Sequence, residues 1–178
     1  DFMDYFWISG KRPAHFPAEV PQRMTEKSCA HRGYGHPESP FKLIGAKQVG
    51  KGGLAGMRMA LDLKRKLGRQ ACIWPFEDHA DDASLVIAEI YPRLFLKTAG
   101  MGSVKIREKE NLSKALLFFN SELVSADFAL NDHIADAVVA SAGLRAFAGS
   151  GAYLPEGLIA PPELTAQIAR TEGWIFGV

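Results

Sequence analysis

The sequence predicts an α/β protein, and three observations carry that expectation. Short apolar runs alternate with segments of helical period, the pattern of strands covered by helices. The run SLVIAEIYP is nearly continuously apolar, as in a parallel-sheet strand buried on both faces. The length of 178 residues, with 47% hydrophobic and 23% charged residues, suits one domain, two at most, with a real core. That composition excludes wholesale disorder, a collagen-like fibre and a disulfide-stapled miniprotein. No apolar run approaches the roughly 18 residues of a spanning helix, so no membrane is expected as a partner. The opening DFMDYFWISG lacks the charged start and apolar stretch of a secretory signal, and lacks an initiator Met, as in a processed or trimmed chain. Cys29 and Cys72 have no metal-like spacing and read as reduced thiols of a cytoplasmic protein.

Residues 1–41 hold five prolines and three scattered histidines, and read as an irregular, loop-rich segment within a single domain over 1–178. FKLIGAKQV reads as a short strand and VGKGGLAG as a glycine-rich turn. LAGMRMALDLKRKLG follows as a helix, with Met57, Ala60, Leu61 and Leu67 at helical spacing and Gly68 as its stop. ACIWPF is a short strand ended by Pro75. After the SLVIAEIYP strand, ENLSKALLFFNSELV carries Leu112, Ala115, Leu116, Phe119 and Leu123 on one helical stripe. NDHIADAVVASAGLRAFAG is a third helix, and PPELTAQIAR a fourth begun near Pro162. WIFGV closes the chain as a strand or an extended tail.

The net charge is only +1, but it is unevenly distributed. Residues 1–70 hold 13 Lys/Arg against 6 Asp/Glu, whereas residues 71–178 hold 8 against 14. A phosphate-gripping basic half beside a metal-binding acidic half has this signature; so do two halves that merely attract each other.

Three groups of residues carry candidate chemistry. Glu89 stands near the carboxyl end of an apolar strand, the edge at which open α/β sheets bind ligands. A carboxylate there needs a cation or strong donors, and the structural alternative is an ion pair, with Arg93 one partner. Asp132 and Asp136 are one helical turn apart, within about 40° of each other. From Ile134 to Ala148 the helix is almost wholly apolar, and Arg145 lies roughly 180° from Asp136. If Arg145 marks solvent, Asp136 points inward and a divalent ion is a suitable partner. For Asp132 the alternative is a helix cap, and for Asp136 a buried ion pair. His133 fits either an outer-shell role or ordinary packing.

The glycine-rich turn over 50–56 is the third. Gly50, Gly52 and Ala55 fit a loose G-x-G-x-x-A form ahead of a helix that could cradle phosphate. No strand-end acid follows at the spacing of a dinucleotide site, and G-K-[ST] is absent, so a tight turn is the simpler reading. The cations from Lys64 to Arg69 suit a solvated helix end. Arg12, Lys47 and Lys51 are candidates for gripping a polyanion. Cys29 with His31 does not make a nucleophilic pair, and there is no G-x-S-x-G.

FWISGKRP, RMTEKS, GAKQVGKGGLAGM, IWPF, EIYPRL, DHIADAVVASAGLRA and EGWIFGV appear in that order. Together they resemble a bacterial family of predicted nucleases in the ribonuclease H-like superfamily, across nearly the whole chain. The resemblance implies a mixed sheet with flanking helices and a site for Mg²⁺ or Mn²⁺. It also implies that Glu89 serves as the later-strand acid, and Asp132 and Asp136 as the helix acids. The superfamily's opening strands and their Asp have no match: Asp1 and Asp4 resemble the region after that unit, which either precedes residue 1 or was lost. The implied function is metal-dependent hydrolysis of phosphodiesters, with nucleic acid as partner. The competing expectations are a non-catalytic nucleic-acid-binding or structural relative, and a nucleotide-binding protein using the 50–56 turn.

Overall fold

The computed structural model describes residues 11–16, 19–45, 47–78, 83–104, 106–123, 129–149 and 161–178. Asp1 and Asp4 lie outside them. The architecture is α/β: six α-helices and one two-stranded parallel sheet among the described residues. No helix there is long and apolar enough to cross a membrane. The chain divides into two units, Asp1–Glu89 with Pro162–Phe176 and Val178, and Ile90–Pro161 with Gly177.

The first unit opens on α1 (Met24–His31), inside the stretch expected to be irregular. Periodicity missed it because its burial is polar: Thr25, Glu26 and Ser28 are buried alongside Cys29. The expected strand over 41–49 is absent among its described residues. Gly45 and Lys47 take positive φ, which no strand accommodates. The Lys42 N–H closes a turn on the Ser39 carbonyl, and the Lys42 carbonyl then accepts from Gly50 N–H.

The expected glycine-rich turn is already helix, since α2 runs Gly50–Leu67. A Cβ on Gly50 would sit 2.3 Å from the Pro40 carbonyl oxygen, so only glycine admits the helix at that point. A 3₁₀ turn over Gly68–Gln70 leads into β1 (Ala71–Ile73). The strand pairs in parallel with β2 (Leu85–Ile87), Ala71 opposite Leu85 and Ile73 opposite Ile87. β2 was expected to be buried on both faces, yet Leu85 is 37% and Val86 40% exposed. Pairing with β1 is edge to edge and covers no face, and the apolar run by itself does not say which layers pack over a strand.

The two strands treat their backbone groups differently. Gln70 and Trp74 bond toward β2, so Ala71 and Ile73 face the outer edge. There Lys64 Nζ donates to the Ala71 carbonyl at 2.7 Å, and Ile73 N–H donates to Glu77 at 3.1 Å. Lys64 and Glu77 also pair at 2.9 Å, so a salt bridge occupies the place of a further strand. WIFGV contributes a single parallel bridge, Ile175 to Glu89, and buries Trp174, Ile175, Phe176 and Val178. α6 (Ala166–Thr171) starts at Thr165, whose hydroxyl accepts from Ile168 N–H, later than the expected start near Pro162.

The second unit is helical. It comprises α3 (Pro92–Thr98), α4 (Lys109–Phe118) and α5 (Asp132–Gly149), with α3 and α4 both packed on α5. The predicted stripe of α4 is buried at Leu112, Ala115, Leu116 and Phe119, and meets Phe95, Ala135, Val139 and Ala140. Phe95, Phe119 and Phe147 meet edgewise or tilted. Asn120, at positive φ, ends α4 before the predicted helix reaches Leu123. Arg145 is exposed and donates to the carbonyls of Phe119 and Asn120 at the end of that helix.

Candidate functional site

Glu89 follows β2 by two residues and is held by Arg23. Arg23 Nη1 donates to Glu89 Oε2 and Nη2 to Glu89 Oε1, both at 2.8 Å. This is the bidentate fork that matches a guanidinium to a carboxylate. The same guanidinium serves Glu26, through Nε at 2.9 Å and Nη2 at 2.5 Å, and Nη1 also reaches the Glu172 carbonyl. Glu26 in turn accepts from the Arg23 backbone N–H at 2.7 Å, closing the first turn of α1. Burial opposes the charge on Arg23, but its hydrogen bonds to Glu89 and Glu26 and their negative charges outweigh it and hold its pKa above the ordinary arginine value. Glu26 is buried, whereas the Glu89 side chain is 47% exposed. One guanidinium thus faces two carboxylates, and the cluster is formally anionic.

Arg23 and Glu26 were not anticipated as site residues. The available signal was their i, i+3 spacing, which joins their side chains wherever a helix begins between them. The expected irregular segment concealed that start.

Asp132 and Asp136 both project from the first turns of α5. Asn131, not Asp132, caps the helix, its side chain accepting from Ile134 N–H at 3.0 Å. Asp132 is exposed and pairs with Arg107, whose Nη2 donates to Oδ2 at 2.5 Å and whose Nε donates to Oδ1. Asp136 is half-buried one turn on, while His133 is exposed. Burial, and then the charge of Asp132, push the Asp136 carboxyl above the ordinary aspartate range; His133 and Arg93 partly offset this. Asp136 therefore carries a charge that its surroundings disfavour, a condition that a bound cation relieves.

The structure brings Asp132 and Asp136 together on one helix and sets Glu89 in an arginine network. Within each unit, among the described residues, no three His, Cys, Asp or Glu side chains converge as a metal site. The phosphate-cradle reading of the glycines loses its loop: Gly50, Gly52 and Ala55 lie in α2, and the Gly50, Lys51 and Gly53 N–H groups bond to Lys42, Gln48 and Val49. Cys29 and Cys72 are buried free thiols. Comparison with protein-family models, curated proteins and solved structures found no match.

Proposed function

We propose that the chain is a divalent-metal-dependent phosphodiesterase of the ribonuclease H-like type, acting on nucleic acid. The observation that carries this reading is Asp136, a half-buried carboxylate whose charge is disfavoured by burial and by Asp132. The donors fit Mg²⁺ or Mn²⁺ in kind, because hard cations take carboxylate oxygens. Asp136 and Asp132 supply the helix carboxylates of this reading. When bound, such an ion polarises a phosphoryl oxygen and acidifies water. Arg107 neutralises Asp132, a role that a bound cation would share, and Arg23 fixes the direction of the Glu89 carboxylate. The basic first 70 residues supply attraction for a polyanion. Two buried free thiols support a reducing, cytoplasmic setting.

Millimolar Mn²⁺ is expected to raise the melting temperature of the protein, and Asp136→Asn to abolish that gain. The wild type is expected to hydrolyse bis(p-nitrophenyl) phosphate in Mn²⁺, with Asp136→Asn inactive. An unchanged melting temperature together with no hydrolysis would sink the reading. Glu89→Gln, assayed separately, reads the contribution of the strand-end acid named by the resemblance. A second reading, a non-catalytic binding module, is favoured by one fact: arginines already engage both oxygens of Glu89 and of Asp132. Nucleic-acid binding without hydrolysis in Mn²⁺ would select it.

A further inference from the structure

The helix α2 spans 18 residues, and apart from Gly50 none of them is buried. Its cations are arranged in a line. Lys51, Arg58 and Arg65 are spaced by seven residues, so each is about 10 Å along the helix and only about 20° round from the last. All three are exposed, and Arg65 retains a loose 3.6 Å contact with Asp62, the one acid of the helix. The C-terminal half of the opposite face packs on the protein. Leu67, nine residues from Arg58 and so about 180° away, is half-buried with Ala60 and Leu63, and α2 contacts β1. The stripe therefore faces away from the sheet.

We infer that the Lys51, Arg58 and Arg65 stripe of α2 is the surface on which a nucleic-acid backbone docks. The inference deepens the nucleic-acid reading above and rests on it for the partner. The complementarity is of charge: a regular row of cations against a chain carrying one phosphate per nucleotide. An anionic membrane is the competing polyanion, and an interfacial helix buries its apolar face in lipid. Here Ala60, Leu63 and Leu67 are half-buried opposite the stripe and are not free to enter lipid. Met57 and Leu61, one turn apart, and Met59 on the other side of the stripe are exposed, so lipid binding is kept as an explicit outcome of the test.

The test measures binding of a labelled 25-nucleotide strand, single or duplex, by anisotropy in EDTA across a salt series. The variant is Lys51→Gln/Arg58→Gln/Arg65→Gln, chosen because Gln keeps helix propensity close to that of Lys and Arg. A matched control, Lys97→Gln/Lys109→Gln/Lys114→Gln, removes the same charge from exposed positions outside the basic first 70 residues, and melting curves verify folding of both. The stripe variant should lose about a hundredfold in affinity at 0.1 M salt, and its salt slope should fall by about 2 to 3. The control should retain most of both. Equal loss in the two variants means net charge alone acts and overturns the inference, as does an unchanged slope in the stripe variant. Absence of wild-type binding also overturns it. Stripe-dependent binding to phosphatidylserine vesicles with DNA binding unaffected replaces the partner. Phosphodiester hydrolysis by the α5 acids is scored independently, so a docking stripe without chemistry, or chemistry without this stripe, is read directly.

Discussion

Asp136 gives the sharpest expectation at the scale of single residues. Its folded carboxyl is raised above the ordinary aspartate value of about 3.9, so between those values the folded chain holds a proton the unfolded chain has released. Stability must then fall as pH rises through that window, and the penalty is complete at neutral pH. Asp136→Asn should therefore raise the metal-free melting temperature at pH 7, and the difference should vanish below the ordinary aspartate value, at about pH 3. Melting curves in EDTA at the two values check this; in Mn²⁺ the order of the two proteins should reverse. Arg23 behaves oppositely. Removing it by Arg23→Ala leaves buried Glu26 without its guanidinium, a loss of about 3–5 kcal/mol by analogy with other broken buried pairs. Glu89→Gln removes a half-exposed charge and should cost much less in the same urea titration. If Arg23→Ala were as mild as Glu89→Gln, the network would not be the anchor of α1.

At the scale of elements, two close approaches matter. A Cβ on Gly143 of α5 would lie 2.3 Å from the Phe95 ring of α3, inside van der Waals contact. Gly143→Ala should destabilise by about 1–3 kcal/mol, the usual result of overpacking, despite the better helix propensity of Ala. A stabilising Gly143→Ala in denaturant titration would mean that Phe95 yields freely. The other is the outer edge of β1, where Glu77 accepts from Ile73 N–H and pairs with Lys64. The Lys64 hydrogen bond holds the Glu77 carboxyl below the ordinary range. Its stabilisation is therefore present above the ordinary glutamate value and lost as pH falls through the lowered one. Glu77→Ala should cost about 1 kcal/mol and speed amide exchange at Ile73. Exchange at that amide unchanged from wild type would show that the salt bridge does not guard the edge.

At the scale of the whole molecule, legibility followed the kind of force involved. α4 was readable from its apolar stripe, Leu112, Ala115, Leu116 and Phe119 burying as their period requires, and α5 as a long, almost wholly apolar run of small residues. α1 was not, because a buried arginine–glutamate network rather than an apolar face holds its start. Asp132 and Asp136 were readable as neighbours, since helix geometry alone makes i and i+4 adjacent. What surrounds each acid was not. Arg23 lies 66 residues from Glu89 in sequence and Arg107 25 from Asp132, and no spacing rule reaches that far.

By itself the sequence determined the α/β class, the positions of most helices and the pairing of acids on α5, all consequences of local periodicity. Only the tertiary structure decided that the glycines over 50–56 belong to a helix, because that depends on the Pro40 carbonyl lying against Gly50. It alone decided that Leu85 and Val86 are exposed, because burial depends on the layers that cover a strand. And it decided that Glu89 answers to Arg23, because a buried charge is satisfied by whichever donors the folded chain brings within about 3 Å.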